Sequence, residues 1–126
     1  MTDANKTDAT QTVDSYLELL NPTDAAKCRA LAARAWASDA SFLDPLFDVR
    51  GRDQLAGLGA TIAAQYPGHR FRRVTGIDQH HSHLRFGWEF AAPDGKIVVT
   101  GTDFAELAAD GRLQRVTGFF GPLPAA

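Results

Sequence analysis

One cysteine, Cys28, occurs in 126 residues, which excludes an internal disulfide framework and a multi-cysteine metal cluster and suits a reducing compartment. Positive charge is not in excess either: 13 lysines and arginines face 15 acids, for a formal charge of -2. A nucleic-acid backbone or an anionic membrane surface finds no basic tract to meet. The opening MTDANKTDATQT has neither a basic start nor an apolar run, so it reads as neither a signal peptide nor a membrane segment. The expectation is a cytoplasmic protein with no nucleic-acid or membrane partner. Phosphate-cradling glycine loops are missing too, because Gly57 and Gly59 fall inside a helical pattern and no Lys-Ser or Lys-Thr pair follows them. There is no serine elbow, and Cys28 lies in an apolar helical stripe, where a thiol packs rather than reacts.

What is present is an ordinary apolar content, 44% hydrophobic against 22% charged, enough for one core. Residues 1 to 9 are polar and are expected to form a disordered tail, with a single domain over 10 to 126. Val13, Tyr16, Leu17 and Leu20 recur at helical spacing as far as Asn21-Pro22, which predicts a first helix from about Thr10. A second helix is predicted over 23 to 37, with Cys28, Leu31, Ala32, Ala35 and Trp36 on one stripe. Ser41 to Pro45 reads as a short edge strand and a turn. Asp53 can cap a third helix whose face is Leu55, Leu58, Ile62 and Tyr66, stopped by Pro67-Gly68.

Beyond Gly68 the period becomes two. A strand at about 70 to 77 is followed by His80 to Phe90, with Ser82, Leu84, Phe86, Trp88 and Phe90 on one face and His81, His83, Arg85 and Glu89 on the other. The turns Pro93-Asp94-Gly95 and Asp110-Gly111 separate strands of roughly 97 to 108 and 112 to 121. Helices first and strands afterwards is an α+β layout: three N-terminal helices packed on a strongly curved antiparallel sheet that encloses an apolar pocket.

Few residues carry chemistry. His80, His81 and His83 cluster, with His69 near in sequence, but two histidines on one strand face are half a metal site, and Arg85 and Glu89 mark that face as solvated or interfacial; no metal is expected. Asp44 precedes a proline. Asp103 shares a strand face with Val99, Gly101 and Ala105, so it is either a buried acid that fixes the fold or a catalytic or ligand-binding one. Phe42, Phe86, Trp88, Val116 and Phe120 either contact a ligand or fill the core.

Four stretches together resemble the nuclear-transport-factor-2-like, or SnoaL-like, superfamily over about residues 10 to 121. They are Tyr16-Leu17-Glu18-Leu19, WASDASFLDP at 36 to 45, Gly51-Arg52-Asp53-Gln54-Leu55, and GTDFAELAADGRLQRVTGFFG at 101 to 121. The resemblance implies a cone-shaped fold and a homodimer formed through the outer face of the sheet, but not one chemistry, since that fold serves isomerases, dehydratases, epoxide hydrolases, cyclases and binding domains. A narrower similarity, to ketosteroid isomerase, implies Tyr16 and a protonated Asp103 as oxyanion hole and Asp44 as the base that moves a proton. It also implies a small hydrophobic carbonyl substrate and no cofactor. Alternative readings are a noncatalytic small-molecule-binding or interaction domain, and another lyase or hydrolase of the superfamily. The bulky Leu46 and Phe47 either close the pocket mouth or define a substrate unlike a steroid, and little chain follows Phe120 to form a lid.

Overall fold

The computed structural model describes residues 2–21 and 24–126, with side chains from Ala9 onward. In chain order the elements are α1 (Thr2–Leu20), α2 (Ala25–Ala35), β1 (Trp36–Leu43), β2 (Asp48–Arg50), α3 (Arg52–Ala56), α4 (Leu58–Gln65), β3 (Arg70–Arg73), β4 (Asp78–His80), β5 (His83–Ala91), β6 (Ile97–Leu107) and β7 (Leu113–Phe120). The predicted stripe of α1 is buried as a unit, Val13, Tyr16, Leu17 and Leu20 all lying in the core. The helix starts at Thr2 rather than near Thr10, and no glycine or proline in that stretch interrupts it. The tail expected over 1 to 9 falls mostly on residues whose side chains lie outside the description, as does Pro22. Asn21 ends α1 in a way that also fixes the sheet: its amide donates to Phe71 O at 3.0 Å and accepts from Phe71 N at 2.7 Å, clamping the helix end onto β3. Arg73 of β3 adds an ion pair to Asp14 of α1 at 2.9 Å.

The sheet is mixed, not wholly antiparallel, and it does not close. Its order is β2-β1-β7-β6-β5-β3, with β4 paired to β5. The antiparallel run β3-β5-β6-β7 follows the predicted hairpins, whose Gly95 and Gly111 sit at φ +89° and +88°. The correction comes from β1. It runs parallel to β7, Phe42 opposite Val116, and antiparallel to β2, so it is an inner strand and the edge passes to β2. It also starts at Trp36, a residue the periodicity assigns to the second helix. There the Trp36 N–H closes the last turn of α2 on Ala32 O while the side chain, in extended backbone, packs edge-on against Tyr16 with ring centres 5.4 Å apart.

Two predicted elements are broken. The strand expected from His80 is a hairpin: β4 folds back on β5 through His81 and Ser82, with His81 at φ +52°, a left-handed conformation that histidine tolerates better than most residues. The third helix divides at Gly57, whose N–H bonds back to Gln54 O and Leu55 O and ends α3. The second piece, α4, is thereby free to settle on α1, with Gly59 against its last turn. A Cβ on Gly59 would stand 2.5 Å from Leu19 O and 2.9 Å from Leu20 O. Among the described residues, no helix is long and apolar enough to cross a membrane.

These two glycines should behave oppositely in urea unfolding. Gly59→Ala should cost about 1–3 kcal/mol through overpacking against the α1 backbone. Gly57 has φ -93° and only an ordinary contact, 3.7 Å to Gln54 O, so Gly57→Ala should stabilise by about 0.4–1 kcal/mol. Equal effects would mean that α4 does not pack on α1 through Gly59.

Candidate active site

Period-two burial brings Asp103 of β6 to the inner face between β5 and β7, opposite Phe86 on one side and Gly118 on the other. It is 2% exposed. A carboxyl group so placed needs partners for its oxygens, and two aromatic residues supply them. The Tyr16 hydroxyl, reaching in from α1, donates to Asp103 Oδ2 at 2.7 Å. The Trp88 indole N–H, from β5, donates to Asp103 Oδ1 at 2.9 Å. Trp88 can lie across β6 only because its cross-strand neighbour is Gly101, where any Cβ would overlap the indole ring.

Asp44 arrives from across β7, on the same face of the sheet. It follows β1 in the turn that the Asp-Pro pair predicts, and its Oδ1 holds that turn by accepting from the N–H groups of Leu46 and Phe47, each at 2.8 Å. Oδ2 has no hydrogen-bond partner among the described residues. Gly118 is what lets the two acids border one space: a Cβ there would sit 2.8 Å from Asp103 Oδ1 and 3.3 Å from the Asp44 Cβ. Burial sets the electrostatics. It pushes Asp103 up from 3.8 to about 6, a rise that Tyr16 and Trp88 restrain by hydrogen bonding and that the Asp44 charge reinforces. Half-buried Asp44 is also raised, again by burial, against the pull of its two backbone donors. Tyr16 is raised well above its ordinary range by burial and then by Asp103, so it stays a hydroxyl.

Tyr16, Asp44 and Asp103 thus meet at one cavity of about 90 Å³. Of the five predicted wall residues, Phe42, Trp88 and Phe120 line it, whereas Phe86 and Val116 do not. Those two are correctly placed on the inner face but belong to the solid core, Phe86 packed edge-on behind the Tyr16 ring and Val116 opposite Ala105. The wall also includes Tyr66, which caps α4, and Phe71 and Phe90, whose rings pack at 4.4 Å between β3 and β5, and Leu46 and Phe47 do line it. Tyr66 and Phe90 were both on predicted inward faces, so the pattern contained them; nothing in it distinguished wall from core. Phe71 and Gly118 were missed outright, and Gly101 was placed on the Asp103 face without a role; the two glycines act by lacking side chains. His80, His81 and His83 lie elsewhere, on the β4–β5 hairpin, with His80 Nδ1 3.2 Å from His81 Nδ1, and His69 packs on Tyr66 and Phe90 behind the cavity wall. Among the described residues, no group of three or more His, Cys, Asp or Glu side chains is placed to hold a metal.

No protein-family model matches the sequence, and no curated protein matches it. Among solved structures, the chain is 32% identical to a candidate isomerase of the SnoaL-like family from Agrobacterium tumefaciens, with a TM-score of 0.85 over 92% of this chain and 99% of that one. At 13% identity and a TM-score of 0.68 it shares its fold with a ketosteroid-isomerase-like protein from Catenulispora acidiphila in complex with trimethylamine, over 85% of this chain and 82% of that one. At 17% identity and a TM-score of 0.62 it shares it with a SnoaL-like candidate polyketide cyclase from Jannaschia, over 88% and 85%.

The buried acid makes stability depend on pH in a direction opposite to that of a salt-bridged aspartate. Because the folded Asp103 holds its proton to about pH 6 and the unfolded one only to about 3.8, its contribution is fully present below pH 3.8 and is lost as pH rises through 6. The loss is about 3 kcal/mol at 1.36 kcal/mol per pH unit. Asp103→Asn should remove this slope, so the melting temperature of the variant relative to the original should rise between pH 4 and pH 7. A difference that stays constant over that range would show Asp103 to be unperturbed.

Proposed function

The chain belongs to the SnoaL-like family, and within it we propose a cofactor-independent acid–base enzyme that acts on a small, largely apolar carbonyl compound. The observation that carries this reading is the convergence of a tyrosine and two acids of raised proton affinity on one cavity whose remaining wall, apart from Gln65, is aromatic and aliphatic. Asp44, with Oδ2 turned to no donor among the described residues, is placed to take a proton from the carbon beside the carbonyl and to return it elsewhere. Tyr16 and Asp103 are the groups that can stabilise the resulting enolate oxygen. A space of about 90 Å³, roughly three times the liquid-volume share of a water, favours a small substrate over a steroid. The same base would serve another lyase or hydrolase step, or the ring closure named in the Jannaschia relative. One observation favours a noncatalytic container instead: both oxygens of Asp103 already accept hydrogen bonds from the protein, as those of a structural acid do.

The homodimer belongs to the same proposal. Phe104 and Phe119 stack edge-on at 5.9 Å on the outer face of the sheet and are 43% and 57% exposed, which supports that face as the contact. Sedimentation equilibrium at tens of micromolar should give twice the chain mass, and a strictly monomeric mass would remove the dimer.

For the chemistry, the measurement is deuterium exchange from solvent into 2-cyclohexenone, followed by NMR. The protein should accelerate exchange, and Asp44→Asn should lower the rate about 10²- to 10⁴-fold while changing affinity little at a pH below the Asp103 midpoint. Asp103→Ala should cost roughly 3 kcal/mol of rate, and Asp103→Asn less because the amide still donates. Binding without any acceleration would favour the container.

A further inference from the structure

The hydrogen count at Asp103 leads beyond the assignment of roles. Trp88 Nε1 can only donate, so Oδ1, 2.9 Å away, is needed as an acceptor in every protonation state and serves best as the carbonyl oxygen, whereas Oδ2 faces a tyrosine hydroxyl that can accept as well as donate. A proton taken up by Asp103 therefore goes to Oδ2, the oxygen 2.7 Å from the Tyr16 hydroxyl. With Asp103 ionised, the gap between Oδ2 and the tyrosine oxygen contains one hydrogen, and that hydrogen is used within the protein. With Asp103 protonated there are two hydrogens for one gap. One closes the contact and the other is released to the cavity, whichever of the two groups carries it. We propose that Trp88 is a positioning residue that directs the Asp103 proton to Oδ2, so that the pocket gains its hydrogen-bond donor only on protonation and takes up one proton when it binds a carbonyl ligand.

This rests on the reading of the cavity as a carbonyl site, but the proton assignment stands on the ligand-free geometry. The groups that face Asp103 are Tyr16 from α1, Asp44 from the end of β1 and Trp88 from β5; β7 contributes Gly118, which has none. They give variants of opposite sign. The indole hydrogen bond favours the carboxylate, and the Asp44 charge opposes it. Trp88→Phe should therefore raise the Asp103 midpoint, whereas Asp44→Asn should lower it.

The experiment has a ligand-free and a ligand arm. In the first, the Asp103 carboxyl carbon and the Trp88 indole N–H are followed by NMR from pH 4 to 9. Both should report one common midpoint, and Trp88→Phe should move the carboxyl midpoint up by about one pH unit, the worth of a hydrogen bond to a charged group. In the second, 2-cyclohexenone is titrated as a probe that can accept but not donate. Its affinity should fall tenfold per pH unit above the midpoint, and at pH 8 Trp88→Phe should bind it up to tenfold more tightly than the original chain. A tryptophan that merely filled space would give weaker binding at every pH. Asp103→Asn gives a test that does not need the Trp88 variant to fold: Trp88 should hold the amide oxygen at the Oδ1 position, leave the NH₂ beside Tyr16, and make binding independent of pH. An amide found with its NH₂ toward Trp88, or an indole N–H that does not sense the Asp103 titration, overturns the proposal. If the probe binds neither the original chain nor Asp103→Asn at any pH, the carbonyl reading falls, and the ligand-free arm still decides the proton assignment.

Discussion

A carboxyl group buried among aromatic rings must be held at both oxygens, and three elements of this fold converge to do so. Tyr16 comes from a helix, Trp88 from a neighbouring strand, and Asp103 from the strand between the sheet's two inner hairpins. Without those donors the acid would bear an unmet desolvation cost of several kcal/mol. With them it is tolerated, though still raised to about 6. The contact with Tyr16 joins residues 87 positions apart, so it also fixes how α1 sits over the sheet. The Asn21 clamp on β3 fixes the same helix five residues further on, and Leu17 and Leu20, between these two attachments, line the cavity.

The described lining of the cavity contains two acids and no lysine, arginine or histidine. Nothing of opposite sign among the described residues of that lining neutralises Asp44 and Asp103, and each raises the free energy of ionising its neighbour. Such a site is expensive to fold and useful to a reaction, because groups that give up protons reluctantly are those that can also hand them back near neutral pH. Local instability at a functional centre, offset by packing elsewhere, is a common pattern in enzymes; here the packing includes the Tyr16, Trp36 and Phe86 contacts behind the acid.

Much of this was legible in the chain because burial alternates. The inner faces of β5 and β6, the α1 stripe and the Asp-Pro turn all follow from local periodicity and turn chemistry. The failures have local causes as well. The parallel pairing of β1 with β7 is non-local, so no short-range signal announces it. The β4–β5 hairpin turns at His81-Ser82, without the glycine or asparagine that usually marks such a turn. Alternation assigns Phe86, Trp88 and Phe90 to one face but gives no depth, so it could not tell that Phe86 is solid core while its neighbours face the cavity. The Trp88–Asp103 bond was hidden for a related reason: it runs diagonally between strands, from one pair to the next, and depends on a register that only the folded hairpin sets.

Gly118 has a consequence for how such a protein changes over generations. Its backbone belongs to the β6–β7 ladder, and the space beside it belongs to the two acids. A one-base change in its codon, to alanine, would insert a methyl group between Asp44 and Asp103 while leaving every strand pairing in place. The chemistry of the pocket and the heritability of the fold are therefore separable at a single position. A lineage can silence the site without losing the scaffold, and can recover it by the reverse substitution, which offers a physical route by which one architecture comes to hold both catalysts and mere binders.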